Sequence, residues 1–224
     1  FSPIEINGRR VKNRVVASAQ AAPHGVIPGA NGYDNASEYQ AQYMGLLARG
    51  GAGIVNTGHL GVDPRYQLGA LRYAFDFYSE RLHNYQLPMM HLMCDNVHTY
   101  GALASMELNH GGDMCTPFEG NKVLGPMYQE KADGRVVIPM DRSEMERVAE
   151  YFANAADVAK RGGFDMINIH AAHNWLLGKF LSPISNKRED EFGGTPENRA
   201  RFVEMVLKAI RDRVGPEMLI SMRY

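Results

Sequence analysis

A chain of 224 residues, 45% hydrophobic and 22% charged, carries a formal net charge of −1. That length suits one good-sized domain with a sizeable core, and so slight a charge offers nucleic acid or an anionic membrane surface little to hold. No apolar run approaches the ~20 residues of a membrane-spanning helix, and no signal-peptide pattern opens the chain. Cys94 and Cys115 are the only cysteines and lack C-x-x-C spacing. They fit a reducing, cytoplasmic setting, with no metal or iron–sulfur cluster held by cysteines in this segment. The chain opens at Phe1 rather than Met and stops at Tyr224 inside a strand pattern, so an incomplete domain is expected.

In chain order, residues 3–12 have the pattern of a small hairpin turning at Asn7-Gly8. Val15-Val16-Ala17 follows as a first buried strand leading into Ser18-Ala19-Gln20-Ala21. From about Asn35 a helix is predicted, with Tyr39, Tyr43, Leu46 and Leu47 on one face and a stop at Gly50-Gly51. Gly53–Gly58 is a second strand, with a loop from His59 to Pro64. A helical segment falls between Ser79 and Tyr100, and Ala102–Leu108 is a third strand running into Asn109-His110-Gly111. Residues 113–142 form the longest irregular stretch, as expected of a lid or pocket wall, with a turn at Asp133-Gly134. Ser143 and Glu146 make a capping-box pattern for a helix through Val148, Phe152, Ala155, Ala156 and Ala159, closing at Gly162-Gly163.

The fourth strand, Met166–Ile169, ends on His170 and His173. A long charged loop follows, broken by Gly193-Gly194. Thr195, Pro196 and Glu197 then mark a sharp helix start. That helix buries Phe202, Val206 and Ile210, and Leu219–Met222 begins a fifth strand with Arg223 at its end.

Strict alternation of short apolar strands with helices argues for a parallel sheet covered by helices. It fits either a (β/α)₈ barrel or a doubly wound sheet. The polar residues favour the TIM barrel, because every strand ends in candidate chemistry and only a barrel brings all those ends to one face. No G-x-G-x-x-G follows the first strand, which counts against a dinucleotide-binding unit.

The run His170-Ala-Ala-His173, then Phe180-Leu-Ser-Pro183, Asn186-Lys-Arg188, Asp190–Gly194 and Glu197–Phe202 resembles the signature of the old yellow enzyme family. Phe1-Ser-Pro3, Lys12-Asn13-Arg14 and Leu108–Gly111 match in the expected order, so the resemblance spans the chain. It is strongest to the branch containing 2,4-dienoyl-CoA reductase, bile-acid-inducible reductases and trimethylamine dehydrogenase. The resemblance implies a flavin-dependent NAD(P)H:flavin oxidoreductase on a TIM barrel. Residues 1–224 would supply the short hairpin, four βα units and strand five of one FMN-binding domain. The remaining strands, which in the family carry the FMN phosphate site, would lie outside this segment. So would the iron–sulfur cluster and FAD domain that often follow in this branch. A small-molecule substrate is implied, and a homo-oligomer is compatible with the family.

The resemblance also assigns roles. Ala19, Gln20 and Ala21 at the first strand's end would contact the flavin ring, as would the Gly58 backbone. Glu107 stands where the family commonly has Gln; a carboxylate accepts the flavin N3–H but cannot donate to the neighbouring oxygen. Arg223 matches the arginine near N1 and O2. His170 and His173 match the pair that binds a substrate carbonyl and stabilises the enolate. His110 stands open between site wall and packing. Trp175 departs from the family pattern, which has a proton-donating Tyr here; an indole N–H is far too weak an acid for that task, though the ring can act as a platform. The charges at Arg188, Asp190, Glu191, Glu197 and Arg199 are expected to hold the loop in place rather than to catalyse.

Hydride transfer from reduced flavin to the activated C=C of an α,β-unsaturated carbonyl compound is therefore the leading expectation. The missing Tyr keeps open a flavin-dependent amine dehydrogenase of the trimethylamine dehydrogenase type. A metal-dependent hydrolase built on His110, His170 and His173 lacks supporting carboxylate spacing. An inactive fragment, with a sheet open at both edges, is the remaining expectation.

Overall fold

Five parallel strands in sequential spatial order form the frame: β1 (Val16–Ala17), β2 (Ile54–Gly61), β3 (Leu103–Asn109), β4 (Met166–His170) and β5 (Leu219–Arg223). The computed structural model describes residues 1–20, 26–28, 34–36, 38–67, 77, 80–118, 120 and 122–224. An order that never reverses has no switch point, so the sheet curls as an arc of a (β/α) barrel instead of opening as a doubly wound sheet.

Side-chain parity separates the two faces. Val55, Ala104, Met106, Leu108, Ile167 and Ile169 pack outward into the main core with the helices. Ile54, Leu103, Met166 and Leu219 point the other way and pack with Val11, Ile4 and Ile6. The last three belong to the hairpin Ile4–Ile6/Arg9–Val11, whose turn places Asn7 and Gly8 at φ 49° and 76°. The hairpin thus plugs the end of the barrel opposite the strands' C-termini.

Helices α1 (Glu38–Arg49), α2 (Glu80–His98), α3 (Arg142–Arg161), α4 (Leu176–Leu181) and α5 (Pro196–Val214) cover the outer face. The predicted burial of α3 holds. Its cap is Asp141, which accepts from the Glu144 N–H, instead of the Ser143/Glu146 pair; Ser143 Oγ instead donates to Asp141 at 2.8 Å. Helix α5 starts as expected, with Thr195 accepting from the Asn198 N–H and Pro196 in the first turn.

Three expectations are corrected. Helix α1 buries Gln40, Ala41, Met44, Gly45 and Ala48, while Tyr39 and Leu46 are 50% and 60% exposed. The close approach to α2 selects small residues there, since a Cβ on Gly45 would lie 3.1 Å from the Asn96 Cβ. Strand β1 is two residues long and exposed at Val16, because it is the edge strand of the described sheet. Residues 113–142 are not irregular: Val123–Gly125, Gln129–Glu130 and Val136–Pro139 form a three-stranded sheet, with Gly134 (φ 83°) in the predicted turn.

The charged loop after α4 is a structural clamp. Arg188 donates to the Pro126 and Met140 carbonyls at 3.0 Å and pairs with Asp190, whose Oδ1 takes the Phe192 N–H. Arg199 donates to the Leu181 carbonyl at 2.8 Å, and Glu191 pairs with Arg142 at 2.6 Å. A Cβ on Gly193 would lie 2.1 Å from the Arg188 carbonyl oxygen, so only glycine fits that crossing.

Candidate active site

The inward positions become polar toward the strands' C-terminal ends. Ser221 Oγ donates to Asn168 Oδ1 at 2.9 Å, and Asn168 Nδ2 donates to Glu107 Oε2 at 2.6 Å. Arg223 Nη1 stands 3.8 Å from Glu107 Oε1. Glu107 is 1% exposed. Burial pushes its carboxyl up, against the opposing pulls of the Arg223 charge and the Asn168 bond.

A bulge shapes β2. Its register against β3 shifts between Asn56 and His59, which aligns His59 with Glu107 and sends its ring toward the same rim. The Glu107 N–H donates to Thr57 Oγ1 in the bulge, and Gly58 is buried beside it. Asn109 Nδ2 donates to His59 Nδ1 at 3.2 Å. Burial, and then the Arg223 charge, lower the pKa of His59.

The end of β4 fixes the histidine tautomers. Ala172 N–H donates to His170 Nδ1 at 3.2 Å, and His170 Nε2 lies 3.0 Å from His173 Nδ1. His170 therefore carries its proton on Nε2 and gives it to His173, which leaves His173 Nε2–H as the outward donor. His173 and Asn174 adopt left-handed conformations, φ 53° and 58°, a strained double turn for side chains bearing a Cβ. The turn brings Trp175 back over the strand: its indole stacks on His170 at 4.2 Å and 20° and meets His59 edge-on at 4.8 Å.

Burial, then the His173, Arg223 and His59 charges, hold His170 at about 4 instead of 6.5. The unfolded chain consequently binds more protons between those values, so this contribution is complete above pH 6.5 and is lost as pH falls toward 4. Glu107, pushed up, works in the opposite direction. The expected result is that urea midpoints of the wild type fall relative to a His170→Gln variant between pH 6.5 and 4. A constant difference between the two overturns it.

His110 is a packing residue. It is 2% exposed, its Nδ1 accepts from the Gly112 N–H, and its Nε2–H donates to Asp63 at 3.1 Å. With His110 turned to Asp63 and His170 to His173, the three histidines do not converge, and no group of three or more metal-ligating side chains occurs among the described residues.

Direct contacts join Glu107 to Arg223, and His170 to His173 and Trp175. Gly58 sits in the bulge next to His59. Ala19 and exposed Gln20 follow β1, where Gln20 accepts from the Tyr43 hydroxyl at 3.1 Å; Ala21 lies outside the described residues. Two residues of the site, Asn109 and Asn168, had no expected role, while His59 was expected only as part of the polar end of the second strand. The signal for Asn168 was a single amide within an apolar strand; the direction of His59 depends on the bulge.

The model of the NADH:flavin oxidoreductase / NADH oxidase family matches residues 1–224. The chain belongs to that family. Among relatives, it is 31% identical to N,N-dimethylglycine/sarcosine dehydrogenase of Chromohalobacter salexigens, over all of this chain and 31% of that protein. It is 27% identical to an NADPH dehydrogenase of Clostridium acetobutylicum, over all of this chain and 62% of that one. Among solved structures, histamine dehydrogenase from Rhizobium sp. 4-9 superposes with a TM-score of 0.83 at 26% identity, covering 100% of this chain and 31% of that one. Old yellow enzyme from Pichia sp. AKU4542 gives 0.78 at 26% identity, covering 99% and 58%. The chain thus spans from about a third to about three-fifths of these proteins' lengths. No described helix is long and apolar enough to cross a membrane.

Proposed function

We propose that the protein containing this chain is an FMN-dependent oxidoreductase that reduces the activated C=C of α,β-unsaturated carbonyl compounds, with NAD(P)H as electron donor. The observation that carries this reading is one rim holding a buried carboxylate–arginine pair beside a histidine pair with a single outward N–H.

The residues suit a flavin. The Arg223 guanidinium, 36% exposed, has Glu107 as its ion-pair partner at 3.8 Å and no hydrogen bond to another described side chain, so its donors remain for an acceptor edge. Glu107 would accept an imide N–H, and the Gly58 backbone and the β1 end at Ala19, Gln20 and Ala21 would flank the ring. When bound, FMN would supply hydride chemistry. The chain's own task is to bind and polarise the carbonyl. His173 Nε2–H would donate to its oxygen, His170 would hold that imidazole in the donating tautomer, and Trp175 would form the platform on which the substrate lies. Water reaching the exposed His173–Asn174 turn would protonate the α-carbon, because the indole cannot.

The second reading, oxidation of a small amine, is favoured by one feature: Trp175 stands with His59 and His170, both rings held toward the neutral form by burial, where the reductive reaction calls for an acid. The test is an anaerobic visible spectrum of the protein from the complete gene. Flavin reduced by NAD(P)H and reoxidised by an enone is the expected result. Bleaching by an amine moves the protein to the second reading, and absence of flavin removes both.

A further inference from the structure

Beside the histidine turn lies a groove of about 500 Å³ that the reading above leaves without a role. One wall is the connection between Val123–Gly125 and Gln129–Glu130 of the three-stranded sheet, contributing Met127 and Tyr128; the other is the segment after α4, contributing Ile184, Ser185 and Lys187. Asn174, next to His173, lines the same groove, so it opens from the catalytic turn.

Asp113 also lines the groove and is 1% exposed. Its Oδ2 takes both Lys179, at 2.6 Å, and Lys131, at 2.9 Å. Its Oδ1 is buried with no hydrogen-bond partner among the described residues. A buried carboxylate oxygen without a donor is costly, and a donor entering the groove would relieve that cost.

The charge balance points elsewhere at the same time. Two ammonium groups, Lys179 and Lys187, line the groove with this one carboxylate, and Lys131 reaches it from outside the lining. Lys187 is exposed and has no ion-pair partner among the described residues. Glu130 takes the Tyr128 hydroxyl at 2.7 Å and is not part of the lining. The lining is therefore net positive, while its buried atom without a partner, Asp113 Oδ1, is an acceptor.

We infer that this groove is a specificity subsite for a substrate whose distal end carries a carboxylate next to an N–H or O–H donor. The carboxylate pairs with Lys187 and the remaining donors of Lys179; the N–H or O–H satisfies Asp113 Oδ1; Met127, Tyr128 and Ile184 cover the linking carbons. The inference rests on the proposed function for the word substrate, but the groove's chemistry is testable without turnover.

The probe is N-acetylglycine, which joins an amide N–H to a carboxylate, titrated calorimetrically into the full-length protein. Two controls are its neutral amide, N-acetylglycinamide, and N-acetyl-N-methylglycine, which keeps the charge but has no N–H. Both should bind several-fold more weakly. Lys187→Glu, an exposed substitution, should weaken N-acetylglycine about fivefold and leave the neutral amide unchanged. The same variant should raise KM for a carboxylate-tailed enone without altering that for 2-cyclohexenone. Equal binding of the three probes, insensitivity to Lys187→Glu, or no binding at millimolar concentration overturns the subsite. Binding with the expected pattern in a protein that reduces no enone keeps the groove and removes the proposed reaction.

Discussion

Replacing His173 with alanine should lower kcat/KM toward an enone by about 10²–10³, the usual cost of losing one preorganised donor to a developing oxyanion. Flavin content should be unchanged, because His173 belongs to none of the contacts around Glu107 and Arg223. The informative comparison is His170→Ala. The Nε2 proton of His170 is spent on His173 Nδ1 at 3.0 Å, so His170 acts through its neighbour and its loss should cost less than that of His173. Steady-state kinetics on the two variants decide the matter. Equal losses, or a larger loss at position 170, would mean that both rings reach the substrate and that the observed histidine–histidine bond opens on binding.

The largest stability effect is expected at Asp63. This carboxylate is 1% exposed and receives Arg65 at 2.6 Å and His110 at 3.1 Å. Burial acts to raise its pKa, but the hydrogen bonds from His110 and Arg65 overcome that and hold it at about 2. Arg65 also reaches Glu144 at 2.5 Å in the first turn of α3 and lies over the Tyr66 and Tyr151 rings. Asp63→Ala leaves His110 buried without its acceptor and Arg65 with one partner fewer. Breaking a buried pair from one side costs about 3–5 kcal/mol. Urea unfolding of the full-length protein should show a lower midpoint at unchanged slope; a loss below about 1 kcal/mol would place the network among weak surface pairs.

What was legible in the sequence followed how local its cause was. Thr195-Pro196-Glu197 carries its own capping chemistry, and helix α5 starts there. Asn7-Gly8 contains its own turn, and the hairpin forms around it. The stripe Val148, Phe152, Ala155, Ala156, Ala159 is apolar at one helical spacing, with no competing stripe. Helix α1 has two candidate stripes, and the bulkier one, Tyr39 with Leu46, is not the buried one. Only the closeness of α2 selects Ala41, Met44 and Gly45, and that closeness is a property of two segments. The cap of α3 was expected at Ser143, but Asp141, two residues earlier, takes the Glu144 N–H.

The site divides in the same way. Glu107, His170, His173 and Arg223 occupy strand ends, so their convergence followed from the barrel alone. The role of His110 depends on Asp63, 47 positions away, and no spacing rule links them. The direction of His59 depends on a bulge, and the tautomers of His170 and His173 on a backbone N–H at Ala172. These are facts of three dimensions, without a one-dimensional counterpart.

The stacking of Trp175 on His170 has a practical side. Trp175 is the only tryptophan in the chain, so the segment's indole fluorescence originates in ring contact with His170 and His59. Nature has put the lamp inside the room. Protonation of the ring beneath it, displacement by a ligand, or an acceptor chromophore arriving nearby would each alter the emission, with no second indole in the chain to dilute the signal. A titration followed at the red edge of the ultraviolet would read occupancy of this rim directly, with neither label nor turnover.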